Sequence, residues 1–213
     1  LIEEFALEMD DVCIIDPKEI KQEDKRHEYG DIFWEKRKRK GITQFEARKL
    51  MRERNYYGSM MVEMGDADAL ISGITRNYRA TVKPALEVIG KEEGVNNVVG
   101  MYIMRTKKGT LFLADTTINL DPTAEEIADM SILIAKKVKQ FRIKPRIALL
   151  SYSNFGSTRT KDSEKMAKAA AILKEENPNL VVDGEIQGDF ALDTEKMLKI
   201  FPFSPLAEES ANT

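Results

Sequence analysis

The sequence predicts an α/β fold made of two units with a mainly parallel sheet, and three observations carry that expectation. Short apolar runs alternate with longer stretches of helical periodicity, the order that gives parallel strands joined by crossover helices. Two polar loops, Ser72–Arg79 and Ser151–Arg159, each follow an apolar run and open into a helical pattern. Open α/β sheets hold their ligands at such strand ends. The character of the chain changes near Gly94, placing a first unit at 1–95 and a second at 96–213.

Composition bounds the function classes. The 213 residues are 42% hydrophobic and 32% charged, enough apolar material for one or two cores. A net charge of -3 gives no global field to recruit nucleic acid or an anionic membrane surface. Cys13 is the single cysteine, so no intrachain disulfide forms; it lies in the apolar run Val12-Cys13-Ile14-Ile15 and is expected to be a buried structural thiol. With one cysteine and one histidine, His27, there is no zinc set, and histidine-based catalysis is not expected. No apolar stretch approaches the ~20 residues of a membrane span, and a cytoplasmic location is expected. The chain begins at Leu1 inside an amphipathic pattern and stops at Thr213 without a closing element, and it reads as an excerpt of a longer polypeptide.

Taken in order, residues 1–8 read as the end of a helix and 11–15 as a buried strand before the Asp16-Pro17 turn. Residues 17–40 are highly charged around Phe33-Trp34 and end in the basic run Lys36–Lys40. Thr43 and Glu46 form a capping box, in which the threonine side chain caps the helix and the glutamate reaches back. The helix they start is expected to bury Phe45, Ala47, Leu50 and Met51. Tyr56–Met64 is a methionine-rich helical segment stopped by Gly65, followed by an expected strand at Ala69–Ser72. A helix spans roughly Arg79–Ile89, with Pro84 implying a kink or a later start.

In the second unit, Asn97–Arg105 and Thr110–Asp115 read as a β-hairpin around Thr106-Lys107-Lys108-Gly109. Pro122 and a second capping box at Thr123 and Glu126 start a long helix to about Phe141, whose apolar face is Ile127, Met130, Ile134 and Val138. A buried strand at Arg146–Leu150, a helix at Asp162–Glu175, a strand at Leu180–Asp183 and a helix near Thr194–Ile200 complete the pattern.

Several places carry possible chemistry. Both polar loops offer hydroxyls, backbone N–H groups beside a glycine, and arginine, which suit a phosphate or a developing oxyanion. The same residues also serve ordinary solvated turns. Lys36–Lys40 beside Trp34 fits a nucleic-acid contact on its face, but neighbouring acids and the shortness of the run favour a solvated helix face. Asp66 and Asp68 are too few for a hard-metal site and suit turn chemistry, so no metal is expected here. Asp183-Gly184-Glu185 reads either as a turn or as acids supporting a site from behind.

The motifs Gly65-Asp66-Ala67-Asp68-Ala69, Ser72-Gly73, Lys83-Pro84-Ala85-Leu86, Ala114-Asp115, Asp121–Glu125, Leu150–Ser153 with Gly156-Ser157, Arg37–Gly41 and Asp183–Glu185 together resemble the phosphate acetyltransferase (phosphotransacetylase) family, nearly end to end and in order. Asn55–Met64 and Thr75–Arg79 look most like the form fused behind a bacterial NADP-dependent malic enzyme. The resemblance implies two α/β domains of the isocitrate/isopropylmalate dehydrogenase-like kind with the ligand in an interdomain cleft. It also implies exchange of acetyl between coenzyme A and phosphate. By the same resemblance, Arg37 and Lys83 match family arginines that bind coenzyme A; Lys83 keeps the charge and loses the bidentate fork. Ser72, Gly73, Thr75 and Arg76 line one wall, and Ser151, Ser153, Gly156 and Ser157 the other. The family's catalytic serine-arginine pair and aspartate have no counterpart within these residues. The expectation is therefore a domain that binds coenzyme A or acetyl-coenzyme A and regulates a covalently linked malic enzyme, with active acyl transfer as the alternative. NADP and a divalent metal belong to the parent's other domain, a homo-oligomer is expected, and neither nucleic acid nor membrane is a partner.

Overall fold

The computed structural model describes residues 12–107 and 109–213. It divides into two compact units, Leu1–Glu93 and Gly94–Thr213.

The described part of the first unit is helical. Helix α1 spans Glu23–Arg37 and buries Arg26, Tyr29, Gly30 and Phe33, a spacing that puts all four on one helical stripe. Burying a side chain such as Phe33 contributes about 1.5–3 kcal/mol. Arg26 is buried because its guanidinium donates to the carbonyls of Pro17 and Glu19 at 2.7 and 2.6 Å, tying down the turn before the helix. Gly30 permits close approach of the next helix: a Cβ there would stand 2.7 Å from Arg48 Cα. That helix, α2 (Gln44–Leu50), starts from the expected Thr43/Glu46 capping box. Helix α3 (Arg54–Glu63) is followed by Gly65 at φ +76°, and α4 (Tyr78–Val88) is capped by Asn77, whose side chain accepts from Ala80 N–H. Tyr29, Phe33, Ala47, Met51, Tyr56, Tyr57, Met60 and Val88 form the core of this unit.

Pro84 lies inside α4 without ending it. It has no N–H to give the carbonyl of Ala80 one turn earlier. Asn55 Nδ2 supplies that hydrogen bond at 3.2 Å, so a side chain of α3 replaces the missing rung.

Three expectations for this unit are corrected. Val12, Cys13, Ile14 and Ile15 form no strand and are exposed, so Cys13 is not a buried thiol. Residues 69–72 form no strand, and Ile71 is 98% exposed. A strand needs a ladder partner, and neither run has one among the described residues. Phe45 is exposed rather than buried, because the inward stripe of α2 runs through Ala47 to Met51. The expected helix at residues 1–8 and the start of the strand at residue 11 lie outside the described residues.

The second unit is mixed. Strands β1 (Met101–Thr106) and β2 (Gly109–Ala114) form the expected antiparallel hairpin. Helix α5 (Ala124–Gln140) starts from the Thr123/Glu126 capping box and buries Ile127, Met130, Ile134 and Val138. Strands β3 (Arg146–Leu150) and β4 (Val181–Ile186) pair in parallel, connected through α6 (Lys161–Glu176). Short helices α7 (Gly188–Ala191) and α8 (Thr194–Ile200) follow. Ile127, Met130, Ile147, Leu149, Leu173 and Val182 lie in its main core cluster. The end of the chain joins the two strand pairs. Phe112 N–H in β2 donates to Asn212 at 2.8 Å. On the other side, Thr213 N–H donates to the Arg146 carbonyl at 3.1 Å and the Thr213 carbonyl accepts from Ala148 N–H at 2.9 Å, the pattern of a parallel bridge to β3. No helix among the described residues is long and apolar enough to cross a membrane.

Candidate functional site

Arg37 and Lys83 are 46 positions apart in sequence but meet at one carboxylate. Arg37, at the end of α1, places a guanidinium nitrogen 3.1 Å from Glu87 Oε1, and Lys83, one turn before Glu87 on α4, lies 3.9 Å from the same oxygen. Tyr56 on α3 donates its phenol to the other oxygen of Glu87 at 2.5 Å. Burial, and then the hydrogen bond to Glu87, push the Tyr56 phenol well above its ordinary range. Two cations against one carboxylate leave positive charge over, and it is accessible: the Lys83 side chain is 58% exposed while that of Arg37 is 21% exposed. Glu87 and Tyr56 were not singled out in the sequence; the i, i+4 spacing of Lys83 and Glu87 was the available signal.

The Ser72–Arg76 segment is a tight turn held from α3. Ser72 Oγ donates to Asn55 Oδ1 at 2.7 Å, so Asn55 holds this turn with one end of its amide and the Ala80 carbonyl with the other. Gly73 has φ +143°, and Thr75 N–H donates to its carbonyl at 2.6 Å. Ile74 has φ +52°, a left-handed conformation unusual for a β-branched residue. Arg76 pairs with Glu53 at 3.1 Å. Ser72, Thr75 and Arg76 are exposed, and the turn follows an irregular segment rather than a strand.

The Ser151–Ser157 loop does follow a strand, β3, and it is closely organised. Ser151 Oγ accepts from Ser153 N–H at 3.2 Å, and Ser157 Oγ accepts from Asn154 N–H at 3.0 Å. Ser153 is fully buried and presents no surface to a ligand; its hydroxyl is 3.0 Å from Glu185 Oε1. Gly156 N–H donates to the same Glu185 oxygen at 2.5 Å. Gly156 and Ser157 are exposed and Ser151 is half-buried.

Glu185 reaches this loop because β4 carries a bulge. Leu149 pairs with Gly184 and Leu150 with Ile186, so Glu185 is an extra residue opposite one step of β3. Such a bulge redirects a side chain. Asp183-Gly184-Glu185 is therefore strand rather than turn, and both acids are buried and bonded. Asp183 accepts from Lys174 Nζ at 2.5 Å and Ser204 Oγ at 2.7 Å.

Lys36, Lys38 and Asp66, among the remaining candidates, have local partners. In the basic run, Lys36 bonds Glu63 and the Val88 carbonyl, and Lys38 bonds Glu35. Asp66 accepts from Tyr29 and lies 3.0 Å from Lys25 Nζ; these two hydrogen bonds, Tyr29 first, hold its carboxyl below the usual range. Among the described residues, no group of three or more His, Cys, Asp or Glu is placed to hold a metal ion.

A family model described as phosphate acetyl/butaryl transferase matches residues 2–213. The chain belongs to this family. A phosphate acetyltransferase of Synechocystis is 36% identical over 206 residues, which is 97% of the chain and 29% of that protein. A phosphate acetyltransferase of Bacillus subtilis is 42% identical over 159 residues, covering 75% of the chain and 49% of that protein. An NADP-dependent malic enzyme of Escherichia coli is 39% identical over 166 residues, 78% of the chain and 22% of that protein. Among solved structures, a phosphotransacetylase from Streptococcus pyogenes superposes with a TM-score of 0.80 at 35% identity, covering 100% of this chain and 64% of that one. The chain thus spans less than two thirds of each of these relatives, and its mixed helices and strands fit the α/β fold of the phosphotransacetylase structure.

Proposed function

We propose that this chain binds coenzyme A and acetyl-coenzyme A as the transacetylase-like part of an NADP-dependent malic enzyme, where it regulates the oxidative decarboxylation of malate. The observation that carries the reading is the shared carboxylate at Glu87. It holds Arg37 and Lys83 side by side at 3.1 and 3.9 Å and balances only one of their charges. A phosphate of the coenzyme can take the exposed ammonium of Lys83 as a point contact, and Arg37 can add a second N–H on rotating from Glu87. The turn at Ser72, Gly73, Thr75 and Arg76 in the first unit, and separately the loop at Ser151, Gly156 and Ser157 in the second, are further candidates for polar contacts. NADP and a divalent metal act in the parent's dehydrogenase domain. The proposal includes an isocitrate/isopropylmalate dehydrogenase-like two-domain fold, a cytoplasmic location and a homo-oligomer.

A second reading, active acyl transfer between acetyl phosphate and coenzyme A, is favoured by the 42% identity to the Bacillus subtilis phosphate acetyltransferase. One assay separates the two. The full-length protein is tested for acetyl-phosphate-dependent formation of acetyl-coenzyme A, and for malate oxidation with and without acetyl-coenzyme A. The regulatory reading expects the second rate to change and the first to be absent. Robust acetyl-coenzyme A formation establishes the transferase reading instead.

A further inference from the structure

Glu185 is a buried carboxylate that no part of the proposed binding reaction yet uses. Its surroundings determine where the hydroxyl protons of the Ser151–Ser157 loop lie. Ser153 Oγ is 3.0 Å from Glu185 Oε1, accepts from Thr158 N–H at 3.0 Å, and is 3.2 Å from Ser157 Oγ. A hydroxyl has one proton and two lone pairs. A carboxylate only accepts, so the Ser153 proton goes to Glu185; the alternative would set two oxygens 3.0 Å apart with no proton between them. One Ser153 lone pair then takes Thr158 N–H, and the other takes the proton of Ser157. Ser157 also accepts from Asn154 N–H at 3.0 Å. Its remaining valence is a lone pair, on an exposed residue.

We propose that Glu185 is a positioning residue: it anchors the Ser151–Ser157 loop and orients the hydroxyls of Ser153 and Ser157 inward, so that Ser157 offers the ligand a hydrogen-bond acceptor. The loop then takes a proton-bearing group, the thiol or an amide N–H of a pantetheine arm. The coenzyme's pyrophosphate has no proton to donate, and any anionic phosphate meets the Glu185 charge behind the loop. This inference rests on the reading of the chain as a coenzyme A binder, and it reverses the role that serines at a strand end suggest, namely donors to phosphate.

The test combines calorimetry with coenzyme A and with inorganic phosphate on the full-length protein, and amide hydrogen exchange without ligand. Ser157→Ala is expected to weaken coenzyme A binding by about three- to tenfold, the effect of one lost hydrogen bond, and to leave phosphate affinity unchanged. Glu185→Ala is expected to weaken coenzyme A binding at least as much, and Glu185→Gln, which keeps the acceptor oxygen, to restore most of it. Unchanged coenzyme A affinity in Ser157→Ala, or a parallel loss for phosphate, overturns the proposal.

The exchange arm is independent of the ligand. Gly156 and Thr158 amides are expected to exchange at least tenfold faster in Glu185→Ala and close to the wild-type rate in Glu185→Gln. Ser153→Ala, a smaller change should Glu185→Ala fail to fold, is expected to expose Thr158 N–H alone. Equal exchange in all of these proteins overturns the positioning role. Absence of coenzyme A binding in the wild type with intact exchange differences instead removes the binding reading.

Discussion

Gly184 makes the bulge that aims Glu185 possible. It lies at φ +148°, and a Cβ there would stand 2.7 Å from the Leu149 carbonyl oxygen and 2.8 Å from Leu149 Cβ. Backbone and a buried side chain cannot yield as a flexible surface group can. Gly184→Ala is expected to lose about 2–4 kcal/mol of stability in denaturant unfolding. A loss under about 0.5 kcal/mol, within the range of ordinary surface substitutions, would show that β4 accommodates a side chain there. A second residue-scale expectation concerns alkali. Burial is the largest cause, and the carboxylates of Asp66 and Glu87 a further one, that hold the phenols of Tyr29 and Tyr56 protonated far above their usual range. In the unfolded chain they ionise near pH 10. Their contribution to stability is therefore complete below about pH 10 and is lost as pH rises above it. Tyrosine absorbance should show these two phenols ionising only with unfolding, and Tyr29→Phe with Tyr56→Phe should flatten the alkaline loss. Normal titration of both phenols in the folded protein would contradict this.

At the scale of elements, α3, α4 and the Ser72 turn are coupled through Asn55. Asn55→Ala leaves the Ala80 carbonyl and the Ser72 hydroxyl without their partner and is expected to cost about 1–3 kcal/mol. Pro84→Ala restores an N–H one turn after Ala80, so the cost of Asn55→Ala should shrink in that background. A double-mutant cycle measures the coupling, and additive effects would mean that Pro84 and Asn55 act independently.

These elements also show what the sequence could reveal. Both capping boxes, the hairpin, α5 and β3 were legible because short-range side-chain chemistry and periodicity determine them. The stripe of α1 was harder to see, since two of its four inward positions are Arg26 and Gly30. Buried arginine is explained only by the carbonyls of Pro17 and Glu19, and buried glycine only by the approach of Arg48. The apolar runs at 12–15 and 69–72 looked like strands because composition reports hydrophobicity and not the availability of a ladder partner. Arg37, Lys83 and the two loops are candidates that the sequence itself offers. Glu87, Asn55 and the inward direction of Ser153 depend on long-range contacts.

For the whole molecule, the last residues of the chain matter more than their length suggests. Asn212 joins β2 to β3 through its backbone, and its side chain accepts from Arg146 N–H and donates to the Lys144 carbonyl, both at 2.9 Å. Asn212→Ala is expected to cost about 1–3 kcal/mol, from two part-buried backbone groups losing their side-chain partner, and unfolding midpoints give the value. A neutral result would mean the bridge forms without the side chain. The central claim, that a member of the phosphate acetyl/butaryl transferase family uses Arg37 and Lys83 to bind coenzyme A, is tested most directly by calorimetric titration of the full-length protein. Arg37→Ala and Lys83→Ala are each expected to weaken coenzyme A binding about tenfold, the effect of one charge-assisted hydrogen bond, without unfolding the protein. Wild-type affinity in both folded variants would contradict the account.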